Sequence, residues 1–188
     1  MMILGLNGSP RIGGNTDILL ENALSGAKDK GAKVEKVILN TLKFSPCQEC
    51  ENIRRVGVCQ IKDDMQILYP KIEKAEAIIL ASPIFFGSLS AQTKMMIDRF
   101  QCVWAAKKTR PLEKKKPGAF LCVEATTRKD FFDNARSIVR NIFAVMDVAL
   151  KEELLCSGVE EKGSIREHPD VLKKAFELGS RIASDGRV

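Results

Sequence analysis

The residues best suited to chemistry in this chain begin at Gly8-Ser-Pro-Arg-Ile-Gly-Gly-Asn-Thr16, directly after the apolar run Met2–Asn7. Glycines at 8, 13 and 14 permit left-handed backbone and close approach of a ligand to the main chain. A helix starting just afterwards presents unpaired N–H groups and a positive dipole end to an anion. Ser9, Asn15 and Thr16 add hydroxyl and amide donors, and Arg11 adds a charged fork. The set describes a phosphate cradle. Gly13 is followed by Gly14 and Asn15, so the lysine that reaches a γ-phosphate in a P-loop is missing, and the G-x-G-x-x-G dinucleotide fingerprint is missing from this turn as well. A terminal monophosphate, as in FMN, fits what remains. Taken alone, the loop fits equally well a helix capped by Asn15 or Thr16 with glycines that merely turn the chain.

A second string, Ser82-Pro-Ile-Phe-Phe-Gly-Ser-Leu-Ser-Ala-Gln-Thr-Lys94, leads into Met95-Met-Ile-Asp-Arg99. Two adjacent aromatics at the end of a strand, followed by a glycine that frees backbone N–H groups, make a floor for a flat heterocycle and donors for its edge. Singly, Phe85 and Phe86 are equally compatible with packing beneath the loop. The third string is Cys47-Gln-Glu-Cys50, followed by Cys59 and Asp63-Asp-Met65. Six cysteines in a chain expected to be cytoplasmic are expected to be reduced, which points to metal, redox chemistry or core packing before disulfides.

Short β-rich runs alternate with segments of helical period, the rhythm of βαβ units around a parallel sheet. Strands are expected at Met2–Asn7, Lys33–Leu39, Ala77–Ser82, Gly118–Glu124 and Lys151–Ser157. Helices are expected at about Asn15–Lys30, Asp63–Lys74, Ala91–Ala106, Lys129–Ala149 and Pro169–Ser184. Ala77-Ile-Ile-Leu-Ala-Ser82 is apolar almost throughout, as a central strand covered on both faces must be. Phe131, Phe132, Ala135, Ile138, Val139, Ile142, Phe143 and Met146 recur at three- and four-residue steps, so they read as a core stripe with no cofactor role. Asn40 to Lys62 is the least regular stretch. The 188 residues read as one domain.

Hydrophobic residues make up 45% and charged residues 29%, which excludes disordered and collagenous classes. No run is long enough to cross a membrane and the N-terminus lacks a leader pattern, so no membrane partner and a cytoplasmic location are expected. The net charge of +6 is spread along the chain. The short run Lys114, Lys115, Lys116 reads as a solvated turn, and no nucleic-acid partner is expected.

Together, GSPRIGGNT and SPIFFGSLSAQTKMMIDR resemble the NADPH-dependent FMN reductase-like family, in particular its iron-sulfur flavoprotein branch, and the likeness in element order extends over the whole chain. The resemblance implies a flavodoxin-like three-layer α/β sandwich with a five-stranded parallel sheet in order 2-1-3-4-5. It also implies non-covalent FMN, NAD(P)H as donor, and a homodimer or homotetramer. By the same resemblance, Ser9, Arg11, Asn15 and Thr16 hold phosphate, Pro83, Ile84, Phe85, Phe86 and Gly87 line the isoalloxazine, and Ala125, Thr126 and Thr127 lie near the ring. No side chain is assigned as an obligate acid or base, since flavin carries the redox chemistry itself.

The chain departs from the resemblance in its cysteines. The branch ligates a [4Fe-4S] cluster with four closely spaced thiolates, and Ile53 stands where the third is expected. The order of expectation is a cluster-free loop, then a metal site using Cys47, Cys50 and Cys59 with or without a distant ligand such as Cys102, then a redox-active Cys47/Cys50 pair. Cys122 and Cys156 read as small core residues. The expected activity is transfer of electrons from NAD(P)H through FMN to a flavin, quinone or similar small acceptor. A flavodoxin-type or iron-sulfur flavoprotein electron carrier serving protein partners is the alternative.

Overall fold

The computed structural model describes residues 1–50, 58–107, 115–128 and 130–185. The apolar run Met2–Asn7 forms β1, Lys33–Ile38 forms β2, Ala77–Phe85 forms β3, Lys116–Val123 forms β5 and Val148–Cys156 forms β6. These pair in parallel in the order β2-β1-β3-β5-β6. The expected order of the five long strands is therefore present. The count differs by one: Ser88–Leu89 forms a short β4 that turns back antiparallel onto the end of β3. That strand arises because β3 runs past Ser82 to Phe85, carrying the chain beyond the sheet and into the second string of candidate residues.

Helices cover both faces. On one side α1 (Asn15–Asp29) and α6 (Pro169–Asp185) pack Leu19, Leu20, Leu24, Leu178 and Ile182 against Ile3, Ile79 and Leu121. On the other, α2 (Met65–Lys74), α3 (Ala91–Asp98) and α5 (Asp130–Val145) pack Met65, Leu68, Met96, Phe132 and Phe143 against Leu4, Ile78, Leu80 and Phe120. Alternate residues of one strand thus feed opposite cores, the period-two rule of a pleated strand with both faces buried. No helix among the described residues is long and apolar enough to cross a membrane.

Several expected boundaries move, and the larger shifts have a visible cause. The single helix expected over Ala91–Ala106 is broken after Asp98, and α4 (Gln101–Lys107) follows. Arg99 and Phe100 at the break are both buried, Phe100 edge-on to Tyr69 with ring centroids 5.3 Å apart. The apolar period runs unchanged across the break, so the pattern carried no sign of it. The helix expected to reach Ala149 stops at Val145, Asp147 takes a left-handed backbone (φ 57°), and β6 begins at Val148, ahead of the expected Lys151. Val148 and Ala149 suit a helix face and a strand alike; the left-handed residue decides.

Candidate functional site

The loops after β1, β3 and β5 leave the same end of the sheet, where open α/β sheets bind ligands. In the first, Gly8 N–H donates to Ala81 O at 2.7 Å, tying the loop to β3. A Cβ at position 8 would lie 1.8 Å from Thr93 Oγ1, so only glycine fits. The buried Asn7 side chain accepts from Ser9 N–H and donates to Asp17 Oδ1, each at 2.8 Å. Asp17 Oδ2 accepts from Gly13 N–H at 2.8 Å, and Lys36 Nζ reaches Asp17 Oδ1 at 3.0 Å. Gly13 itself is left-handed (φ 69°). The loop is therefore pinned from beneath by the buried Asn7 and Asp17 side chains.

Above this anchor the loop faces solvent. Arg11, Ile12 and Gly13 are exposed. Ser9 Oγ accepts from Arg11 N–H at 3.1 Å, which leaves the serine hydroxyl proton free to donate. Helix α1 is capped by Gly14 with no side-chain hydrogen bond, and first-turn N–H groups have no intrahelical acceptor. With the dipole behind them, they are suited to an anion. One expectation changes here. Asn15 Nδ2 donates to Glu161 O at 2.8 Å and Val159 O at 3.4 Å, while Oδ1 accepts from Gly163 N–H at 2.8 Å and Ile165 N–H at 3.2 Å. Its amide is committed to a loop far along the chain, so toward an anion Asn15 has its main-chain N–H to offer and not its side chain. Thr16 lies buried beside it.

The aromatic turn is latched to the same floor. Ser90 Oγ donates to Gly8 O at 2.5 Å and lies 2.9 Å from Thr93 Oγ1, which donates to Ser82 Oγ at 3.1 Å. All three hydroxyl residues are fully buried. Pro83 and Ile84 are half-buried, Phe85 is 42% exposed, and Phe86 is wholly exposed in a left-handed conformation (φ 49°). A non-glycine residue pays roughly 1–2 kcal/mol for that backbone, so Phe86 is held out against both its solvent and its backbone preference. Gly87 follows with φ 72°, its carbonyl accepting from Asn134 Nδ2 at 2.8 Å. A Cβ there would meet the Phe131 ring at 3.1 Å. Phe131, read from its spacing as part of the core stripe, instead supports this turn, with the Arg128 guanidinium 4.4 Å over its ring.

Ala125, Thr126 and Thr127 are exposed at the end of β5. Thr126 O accepts from Gly158 N–H at 2.9 Å and Glu124 O from Val159 N–H at 3.0 Å. Because Val159 also meets Asn15, the first and third loops share one neighbour. Glu124 is 2% exposed and neither carboxylate oxygen has a hydrogen-bond partner. Burial pushes its pKa up, Asp130 pushes the same way, and Arg128 opposes them. Asn7, Asp17 and Glu124 were not singled out from sequence. Their signal was a polar residue at the end of an otherwise apolar strand, or in the first turn after a glycine loop.

The cysteine stretch is built differently. Arg99 donates to Ser45 O at 2.8 Å, to Asp63 at 2.6 and 3.1 Å, and to Cys59 Sγ at 3.2 Å. Burial works against the Asp63 charge, but Arg99 and the N–H groups of Ser45 and Met65 hold its carboxyl below the usual value. Cys59 is buried beside Cys102, while Cys47 and Cys50 are half-buried, Cys47 Sγ accepting from Glu49 N–H at 3.4 Å. Position 53 lies outside the described residues. Among the described residues, no three His, Cys, Asp or Glu side chains converge on a point where a metal would sit. Cys122 and Cys156 are core residues of the sheet; burial pushes both thiols up, Cys156 to about 11.

Residues 1–153 match the family model described as NADPH-dependent FMN reductase. The chain belongs to that family. Among curated relatives, an iron-sulfur flavoprotein of Methanocaldococcus jannaschii is 39% identical over 99 residues, 53% of this chain and 51% of that protein. An iron-sulfur flavoprotein of Archaeoglobus fulgidus is 32% identical over 97% of this chain and 79% of its own length. The chain thus spans about half the length of the first of these relatives. Among solved structures, an NAD(P)H:quinone oxidoreductase from Methanothermobacter marburgensis superimposes with a TM-score of 0.69 at 19% identity, covering 97% of this chain and 98% of the other. That likeness is one of fold, and with the 2-1-3-4-5 order of long strands it makes this member of the FMN reductase family flavodoxin-like.

Proposed function

We propose that the chain binds FMN and works as an NAD(P)H-dependent oxidoreductase passing electrons to a flavin, quinone or similar small acceptor. One observation carries the reading: the uncapped start of α1 and the aromatic turn are latched together through Ser90 and Gly8, so an anion site and an exposed flat apolar surface share one rigid base. A glycine stands where a Cβ would strike Thr93, and the Arg11 side chain and the first-turn N–H groups of α1 lie beyond it, which suits a phosphate lying against the main chain. Ser9, Arg11 and the N–H groups of Asn15 and Thr16 would hold that phosphate. Pro83, Ile84, Phe85, Phe86 and Gly87 would line the ring, with Ala125, Thr126 and Thr127 at its edge. FMN, when bound, supplies hydride acceptance and release of one or two electrons.

Family membership supports the nicotinamide donor, and the fold shared with a quinone oxidoreductase supports the class of acceptor. A carrier serving protein partners is disfavoured by the basic net charge of +6, since flavodoxin-type carriers are usually acidic. Ile12, Phe85 and Phe86, exposed at one end of the sheet, are apolar surface for a second copy in a homodimer or homotetramer. The cluster in the relatives' names does not fit the donors present: the stretch holds three thiols, Cys47, Cys50 and Cys59, and isoleucine stands at 53. No electron step is therefore assigned to iron.

FMN titration followed by steady-state assay with NADH and NADPH against quinone, ferricyanide and free FMN tests the reading. The expected result is a yellow protein that turns over with at least one pair. Protein that stays colourless at high FMN excess overturns it. Iron and acid-labile sulfide are expected at trace level after anaerobic purification.

A further inference from the structure

Arg99 is 1% exposed and holds two cysteines at once. Its Nη2 donates to Cys59 Sγ at 3.2 Å, and its main-chain carbonyl accepts from the Cys102 thiol at 3.4 Å and from the Tyr69 hydroxyl at 2.8 Å. Cys59 and Cys102 form one buried cluster, packed against Tyr69 and Val103. The guanidinium is spent unevenly. Asp63 takes one N–H from each of Nη1 and Nη2, and Ser45 O takes the outer one on Nη1. A guanidinium presents its five donors in a fixed planar fork. The remaining N–H of Nη2, the one parallel to Nε–H, is therefore the one that reaches the Cys59 sulfur, and Nε itself has no acceptor among the described residues. One prong of that side-on pair is occupied by sulfur and its neighbour is empty. A buried donor without an acceptor calls for an explanation.

Both sulfurs are also reachable. Cys59 and Cys102 line a cavity of about 380 Å³ between α2, α4 and the end of α5, and Val58, 57% exposed, stands on its wall. The cavity extends to Lys116 at the start of β5, the end of the sheet away from the glycine loop, so it is separate from the proposed flavin site.

We propose that Cys59 is an oxidative modification site: a small hydroperoxide converts it to a sulfenic acid whose oxygen is received by Arg99 Nε–H, and Cys102 then closes a disulfide with it. In the first step the Cys59 sulfur attacks the O–O bond. An S–O bond forms, the O–O bond breaks, the sulfur gives up two electrons, and the departing oxygen leaves as alcohol or water with the thiol proton. In the second step the Cys102 sulfur attacks the Cys59 sulfur. The S–S bond forms, the S–O bond breaks, and hydroxide leaves as water with the Cys102 proton. Two thiols and one hydroperoxide thus give a disulfide, an alcohol and water. The order of the two cysteines follows from their surroundings. Thiolate is the attacking form; Cys59 takes its hydrogen bond from a cation, whereas burial and the neighbouring Cys59 push the Cys102 thiol up and keep its proton in place for the second step.

The full chain is reduced with dithiothreitol, freed of it anaerobically, treated with hydrogen peroxide, alkylated and mapped after trypsin. Cleavage at Lys and Arg puts Cys59 in residues 56–62, Cys102 in 100–107, and Cys47 with Cys50 in 44–54, so each pairing has its own mass. The expected product is 56–62 joined to 100–107 and parted again by dithiothreitol. In Cys102→Ser the reaction stops one step earlier and dimedone should label Cys59, while Cys59→Ser should leave Cys102 unlabelled. Adding Arg99→Lys to Cys102→Ser keeps the charge and removes the fork, and labelling should slow about tenfold. Thermal melts check that each variant is folded; if Arg99→Lys does not fold, the wild-type map and the two serine variants decide. Oxidation confined to Cys47 and Cys50, or Cys59 reacting no faster than the core thiols of Cys122 and Cys156, overturns the proposal. Equal labelling with and without Arg99→Lys overturns the part given to Arg99. None of these outcomes depends on whether FMN binds.

Discussion

The glycine loop after β1 and the cysteine stretch before α2 are both held by a buried charge, and they differ in where that charge ends. Beneath the glycine loop, Asp17 spends its oxygens on Asn7, Gly13 N–H and Lys36, none of which is a donor facing outward for an anion. Under the cysteine stretch, Arg99 spends its donors on Asp63, Ser45 and Cys59 itself. The first anchor shapes a surface and leaves it free to bind. The second uses up one of the groups it supports. Preorganisation of this kind lowers the ordering cost of binding, so changes beneath the first region are expected to tell on ligand binding and changes beneath the second on stability.

The comparison breaks most sharply at Arg99. Arg99→Ala leaves the largely covered Asp63 with only its Ser45 and Met65 N–H donors, and losing one member of a buried pair costs up to about 3–5 kcal/mol. Denaturant unfolding should show that loss, while FMN affinity per folded molecule stays within about threefold, since no Arg99 contact reaches the glycine loop. Asp17→Asn should do the reverse. Gly13 N–H and Lys36 lose a charged acceptor, and FMN binding should weaken about tenfold, equivalent to about 1.4 kcal/mol, with a smaller change in unfolding free energy. If Asp17→Asn cost stability and left affinity intact, the contrast between the regions would fail. Phe86→Gly sharpens it further. Relief of the left-handed backbone should stabilise the fold by about 1 kcal/mol, while loss of the exposed ring weakens FMN binding; a destabilised variant would show that Phe86 is held by packing. The smallest expected effect is in acid. Because the folded-state pKa of Asp63 is depressed, its contribution is present above the ordinary carboxylate pKa and lost as pH falls through the folded value. Melting temperatures below about pH 4 should therefore drop more steeply in wild type than in Asp63→Asn.

The sheet was legible because β1, β3 and β5 are apolar runs with no competing reading, and the two binding strings were legible because glycines and adjacent aromatics at strand ends have few structural uses. The break at Arg99 was not, since the helical period is the same on either side of it. Nor was the role of Asn15, whose type suits a phosphate contact and a loop staple equally; only tertiary structure brings Val159, Glu161, Gly163 and Ile165 within its reach. Glu124 escaped for a related reason. In sequence it is one of many charged residues that follow a strand, and its burial is set by the folded structure around it.

The Asn15 staple joins residues 144 to 150 positions apart. During synthesis the glycine loop leaves the ribosome long before the backbone it must grip, and contacts of such separation form late. The first turn of α1 thus waits, unsecured, for residues 159–165 to appear. Cofactor loading on this chain belongs after translation has passed that point, and a stalled nascent chain lacking it should not retain FMN.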